Sequence, residues 1–201
     1  MEKPAPTLYP VHELIVRRWS PYWFDPRPIL RADLLSLLEA ARWAPSSYNE
    51  QPWRFLFAER SDPVAHTQMV ECLIEGNRTW AREAPVLMLA LTCRLFARDG
   101  SENAACEHDL GQAAAFLSLE AAARGLAVHQ MSGIEHDRIR QTYQIPDDVT
   151  PVTALAIGYS APLESVPDRY RDRQARDRER SPIESFVFAG QWGSPAAFFD
   201  D

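Results

Sequence analysis

Glycine-rich phosphate loops are missing from this chain of 201 residues. It contains neither a GxGxxG segment nor a Walker motif, which argues against a dinucleotide-binding βαβ unit or a P-loop. No GxSxG elbow occurs, so an α/β-hydrolase is disfavoured. Positive charge is not in excess: 21 Lys and Arg face 28 Asp and Glu, a net charge of −7. Nucleic acid is therefore not an expected partner, because phosphate backbones need clustered cations. Only three cysteines occur, Cys72, Cys93 and Cys106, too scattered for a disulfide framework or a metal knuckle. Reduced thiols in a cytoplasmic protein are the simplest account. The segment Met1-Glu2-Lys3-Pro4-Ala5-Pro6 lacks the apolar core of a signal peptide. The longest apolar run, Ala84 to Cys93, is too short to span a bilayer.

What the chain does contain is alternating helical and strand signals. Residues 10–18 read as a short helix. Leu34, Leu37, Leu38 and Ala41 repeat at helical spacing between Arg31 and Trp43, and Pro45 ends that run. Trp53 to Ala58 reads as a strand. Asp62-Pro63 is an N-cap followed by a first-turn proline, opening a helix to about Ile74 that Gly76-Asn77 breaks. Ala84 to Cys93 fits a strand buried on both faces. The longest helical signal, Glu102 to Arg124, is rich in alanine and ends at Gly125. Leu126 to Met131 and Pro151 to Tyr159 read as strands flanking a helix at Glu135 to Tyr143. After Ser160 the pattern fades into prolines and charge. One domain is expected over residues 1–201, with about 161–201 as an extended arm on a partner subunit, since a core of this size rarely leaves such a tail unattached.

Between the second helix and the first strand lies Ala44-Pro45-Ser46-Ser47-Tyr48-Asn49-Glu50-Gln51-Pro52-Trp53. Its hydroxyls and amides suit it to hold a polar, planar ligand against a rigid scaffold. Arg17 and Arg18 read either as a helix C-terminal pair favoured by the dipole or as a guanidinium fork for phosphate. Arg178 and Arg180 could supply the second half of such a fork. The stretch Arg169 to Arg180 is equally readable as a solvated arm. Cys106, Glu107, His108 and Asp109 are consecutive on a helix and point in different directions, so they cannot share one metal ion. His129, in an apolar strand, reads as a packed core histidine.

Several of these pieces, in the same order, resemble the nitroreductase family of FMN-dependent oxidoreductases over Leu14 to Trp192. They are Arg18-Trp19-Ser20-Pro21-Tyr22-Trp23-Phe24, the loop ending in Pro52-Trp53-Arg54-Phe55, Gly76-Asn77, Asp109-Leu110-Gly111-Gln112, His129-Gln130-Met131-Ser132-Gly133 and Arg178-Glu179-Arg180-Ser181-Pro182. The resemblance implies an α+β fold: a three-layer α/β/α sandwich with a central mixed, mainly antiparallel sheet, and a C-terminal arm exchanged within a homodimer. It implies FMN as cofactor and NADH or NADPH as electron donor. A small electron-poor acceptor, such as a nitroaromatic or quinone, would be reduced by ping-pong hydride transfer. Arg18, Trp19 and Ser20 match the N-terminal flavin contacts, with Arg18 facing the phosphate beside Arg178 and Arg180. Asn77 matches the amide at the pyrimidine edge. Gln130, Met131, Ser132 and Gly133 match the segment along the isoalloxazine, with the Ser132 N–H towards the hydride-carrying nitrogen. Pro45, Ser46, Ser47 and Asn49 match a loop donated by the second subunit, and Tyr48 overhangs the substrate space, with His108 and Trp192 as further candidates there. No catalytic acid or base is implied, because the cofactor holds the electrons.

Tyr22 departs from the pattern, occupying a position where the family usually has a cation. A neutral phenol cannot stabilise developing negative charge as a cation does, which implies a lower reduction potential unless another residue, such as Arg78, fills the role. A second function fits the same residues, that of a flavin-binding storage or redox-sensing protein with little turnover. A third, a cofactor-free helical interaction module, would bind no flavin.

Overall fold

In the computed structural model, which describes residues 1–197, four strands form one sheet in the order β1-β2-β4-β3. These are β1 (Trp53–Glu59), β2 (Val86–Cys93), β3 (Ala127–Met131) and β4 (Val149–Gly158). All three pairings are antiparallel, so within the protomer the sheet has no parallel component where a mixed one was expected. The β2–β4 register shifts between Ala90 and Leu91, where Leu91 meets Pro151. Proline cannot donate into a ladder, and an irregularity absorbs it.

The side chains of β2 divide by parity between two cores, as a strand covered on both faces requires. Val86, Met88 and Ala90 pack with α2 (Arg31–Arg42) and α5 (Cys106–Ala123). Leu87, Leu89 and Leu91 pack on the other side with α3 (Pro63–Glu71), α4 (Glu75–Ala81) and α6 (His136–Tyr143). This is the expected three-layer sandwich. In α5, Ala113 and Ala121 are wholly buried beside Leu37 of α2, and such small side chains let the two helices approach closely. Gly125 closes α5 at φ +71, a conformation glycine adopts without Cβ strain.

Asp62 caps α3 through bonds to the Val64 and Ala65 N–H groups, as its sequence signature predicts. The break after α3 falls earlier than expected. Gly76 and Asn77 lie inside α4, and the chain leaves the helix at Cys72 to Ile74. The reason is tertiary: Leu73 bridges Ile134, and the Ile74 N–H bonds the Gly133 carbonyl.

The N-terminal helix is short, α1 (Glu13–Arg17). The segment after Ser160 contains a helix the sequence pattern did not reveal, α7 (Asp168–Ala175). Within the chain it contacts the core of the domain. Val166 and Tyr170 join the core, Tyr170 stacks on Trp23 at 5.5 Å, and the fully buried Gln174 accepts the Tyr22 N–H. Among the described residues, no helix is long and apolar enough to cross a membrane.

Candidate functional site

The two ends of the chain meet at a cluster of guanidinium groups. Arg18 caps α1, and its Nη1 donates to Ser20 Oγ at 3.4 Å. Arg178, just beyond α7, donates from Nη1 to the carbonyls of Lys3 (2.8 Å) and Val16 (2.7 Å). Burial, then the charge of Arg180, lowers the pKa of Arg18. Burial, then Arg18 and Arg180, does the same at Arg178. The three arginines therefore lie within each other's field. None of them forms an ion pair among the described residues. Unshielded cations brought this close repel one another, and a multiply charged anion would relieve that repulsion. Trp19, buried beneath Lys3 Nζ at 5.1 Å, forms part of the floor.

A wall runs from this cluster along β3. The Tyr22 ring lies edge-on to Trp80 (5.3 Å) and His129 (4.8 Å), and Trp80 lies 4.4 Å from His129. His129 Nδ1 is 2.8 Å from the Pro21 carbonyl, so this nitrogen carries the proton and donates it. Burial lowers the His129 pKa, the Pro21 bond opposes this, and the charge of Arg18 adds to the lowering. His129 is thus the packed, hydrogen-bonded histidine expected of its strand. Further along, Asn77 Nδ2 donates to the Gly133 carbonyl at 3.0 Å. A Cβ at position 133 would lie 2.5 Å from Ile74 Cδ1 and 2.6 Å from Asn77 Nδ2, so any larger residue would have to displace these two side chains. The N–H groups of Ser132 and Gly133 donate to no acceptor among the described residues, and Ser132 is exposed.

Packing within the protomer engages two further side chains of this stretch. The Gln130 amide is turned to α5, donating to Ala114 O (3.3 Å) and Ser118 Oγ (3.1 Å). The Met131 side chain is buried in the core. Met131 can therefore offer only its backbone to a ligand on this wall, while the exposed Gln130 has its amide nitrogen already bonded. Arg78, the alternative cation for Tyr22, is also committed elsewhere. It donates to the carbonyls of Leu73 and Glu71 and lies 3.8 Å from Glu135. The cation that does reach Tyr22 is Arg173 of α7, 5.6 Å from the ring centroid. Sequence reasoning missed it along with its helix. The available signal was Tyr170 and Gln174, four residues apart and both facing inward.

The loop Pro45 to Asn49 lies apart from this group. No hydrogen bond, ion pair or ring contact joins it to Arg18, Tyr22, Asn77 or Ser132 among the described residues. Ser47–Asn49 forms a 3-10 turn, and Tyr48, Asn49 and Gln51 hold φ of +52, +56 and +54. Left-handed backbone at three non-glycine residues must be enforced by its surroundings. The Ser47 N–H donates to Oδ2 of the buried Asp109 at 3.0 Å, the Gln51 N–H to Ser46 Oγ, and the Ala97 N–H to Glu50 Oε1 at 2.8 Å. Tyr48 is 76% exposed and lies edge-on to Phe96. His108 is exposed beside Asp109, while Trp192 contacts Phe188.

A sequence model of the nitroreductase family matches residues 15–159. A solved structure described as "the oxidoreductase containing FMN" superposes with a TM-score of 0.87 at 34% identity, covering 94% of this chain and 96% of its own. A nitroreductase family protein from Clostridium difficile 630 has the same fold, with a TM-score of 0.69 at 21% identity, covering 89% and 96% of the two chains. A Mycolicibacterium smegmatis protein of 15.4 kDa is 30% identical over 126 residues, 61% of this chain and 82% of its own. A Ralstonia nicotianae protein named "Putative NADH dehydrogenase/NAD(P)H nitroreductase" is 26% identical over 156 residues, 68% of this chain and 78% of its own.

Proposed function

This chain belongs to the nitroreductase family, and from that premise we propose that it is an FMN-dependent oxidoreductase using NADH or NADPH to reduce a small electron-poor acceptor, a nitroaromatic or quinone, in a ping-pong cycle. The observation that carries this reading is the arginine cluster. Three guanidinium groups from opposite ends of the chain converge, and none of them forms an ion pair among the described residues. A phosphomonoester of about −1.5 to −2 charge matches that field.

The residues fit the cofactor. Arg18, Arg178 and Arg180 bind the phosphate, and Ser20 orients Arg18. Because Asn77 Nδ2 is spent on Gly133, its Oδ1 is left to accept from a ring N–H. The unspent Ser132 N–H is a donor for a ring nitrogen, and the absence of a side chain at Gly133 keeps that donor and Asn77 adjacent. His129, held neutral by burial, adds no second charge to the wall. When bound, FMN supplies the two-electron chemistry, so none of these residues is required as an acid or base.

The loop Pro45 to Asn49 completes the site of a partner subunit in a cytoplasmic homodimer. Leu35, Leu38 and Trp43 on and just after α2, and Phe116 on α5, are exposed apolar side chains suited to such an interface. The chain beyond Arg178, with Phe186 and Trp192 exposed, reaches the same partner.

The test is the visible spectrum of the purified protein before and after anaerobic NAD(P)H. Bleaching of a yellow protein is the expected result. A flavin that stays oxidised would instead support a storage or sensing protein, a reading that the neutral Tyr22 favours. Colourless protein that takes up no FMN would reject both. Sedimentation should give a dimer.

A further inference from the structure

The loop around Tyr48 carries a group that the reading above leaves unused. Arg98, in the segment after β2, lies with its guanidinium carbon 4.3 Å from the Tyr48 ring centroid and 4.8 Å from that of Phe96. Phe96 is buried and Tyr48 is not, so the three side chains make a shelf with an apolar base and an open aromatic top. Glu50 fastens the Arg98 segment to the Tyr48 loop through the Ala97 N–H, so the two loops are one unit.

Three of the carboxylates nearby are already bonded, and a fourth, the exposed Glu102, sits across a backbone bridge from Leu95. Asp99 accepts at Oδ1 from the backbone and hydroxyl of Ser101, and its Oδ2 accepts from Arg98 Nε at 3.2 Å in an exposed ion pair that engages one edge of the guanidinium. Asp109 is bonded to Ser47 and Glu50 to Ala97. The terminal nitrogens of Arg98 donate to no acceptor among the described residues. A guanidinium stacked on an aromatic face has lost much of its rotational freedom, and its planar edge is matched to a carboxylate. Phe96 beneath and Asp99 at Nε hold that edge beside an exposed ring on strained backbone, a conformation that persists only where its surroundings enforce it.

We infer that Arg98 is a specificity-determining residue that selects aromatic acceptors carrying a carboxylate, gripping the anion while the ring stacks beside Tyr48. This rests on the reading that Tyr48 borders the acceptor space of a flavin enzyme.

The test compares 4-nitrobenzoate with 4-nitrobenzamide, which has similar shape but no charge. Calorimetric titration of the oxidised holoprotein should show the carboxylate binding about tenfold or more tightly than the amide, the scale of one charge-assisted bond. Arg98→Gln should collapse that ratio to near unity, and Arg98→Lys should restore part of it. The same preference should appear in KM rather than kcat during turnover. Equal binding of the two compounds by the native protein would overturn the inference, as would a ratio that survives Arg98→Gln. Loss of NADPH affinity in Arg98→Gln with an unchanged acceptor ratio would also overturn it, assigning the cation to the donor instead. Failure of NAD(P)H to bleach the flavin would count against the parent reading alone, because the calorimetric ratio is measured without turnover.

Discussion

At the Arg18 cluster, charge is left over; at the Tyr48 loop, nearly everything is spent. The cluster gathers three cations that form no ion pair among the described residues. The loop assigns its backbone donors to Asp109 and Ser46, while Glu50 takes the Ala97 N–H. A satisfied loop keeps its shape with no ligand present. An uncompensated cluster is least stable when empty and gains most on binding an anion, since whatever binds only the folded state stabilises it. The proposed dimer would bring one region of each kind to a single site, a preformed surface beside an electrostatic trap.

Removing the trap should have the largest effect. The double variant Arg18→Gln, Arg178→Gln forfeits two charge-assisted bonds of roughly 1.5–3 kcal/mol each, so the Kd for FMN should rise about a hundredfold or more. Quenching of flavin fluorescence measures this. An equal loss of riboflavin affinity would break the comparison, because riboflavin has no phosphate for the cluster to hold.

Next comes Gly133→Ala, which drives a methyl group against Ile74 and Asn77 and should cost about 1–3 kcal/mol. The urea midpoint of the apoprotein should fall accordingly. An unchanged midpoint would mean that the wall yields, and is less rigid than the loop.

At the loop, Asp109→Asn keeps an oxygen opposite the Ser47 N–H but removes its charge. The expected loss is about 1 kcal/mol, the difference between a charged and a neutral acceptor. The loss should appear in the urea midpoint of the apoprotein at fixed protein concentration. A loss seen only with FMN would show that the loop is shaped by ligand after all.

The smallest effect is on pH dependence. His129 and His66 both have pKa values lowered, chiefly by burial, so the folded state resists protonation that the unfolded state accepts. The stability they contribute is fully present above about pH 6.5 and is lost as pH falls from there toward their folded values. His129→Gln should flatten part of that slope in urea midpoints measured across the acid range. A slope unchanged by the substitution would remove His129 as its source.

The sheet and its covering helices were legible because their signals are local. Asp62-Pro63, the unbroken run of β2 and Gly125 each act within a few residues. The misreadings have long-range causes. Ile74 leaves its helix because of Gly133, and α7 holds its place through Tyr22 and Trp23, about 150 residues away in the chain. The charge run around α7 concealed two inward-facing residues, Tyr170 and Gln174, among exposed arginines and acids. At the wall, the motif points to a stretch of β3 but not to the packing of its side chains. Gln130 bonds toward α5 and Met131 is buried in the core.

Arg178 is held by two main-chain oxygens, those of Lys3 and Val16. No side-chain replacement at position 3 deletes the oxygen that Arg178 grips, so an alanine scan would pass over this support. Trimming the first few residues, or threading an affinity tag through them, would loosen the guanidinium from a distance. Such a preparation would look like a poor flavin binder with every recognised contact intact.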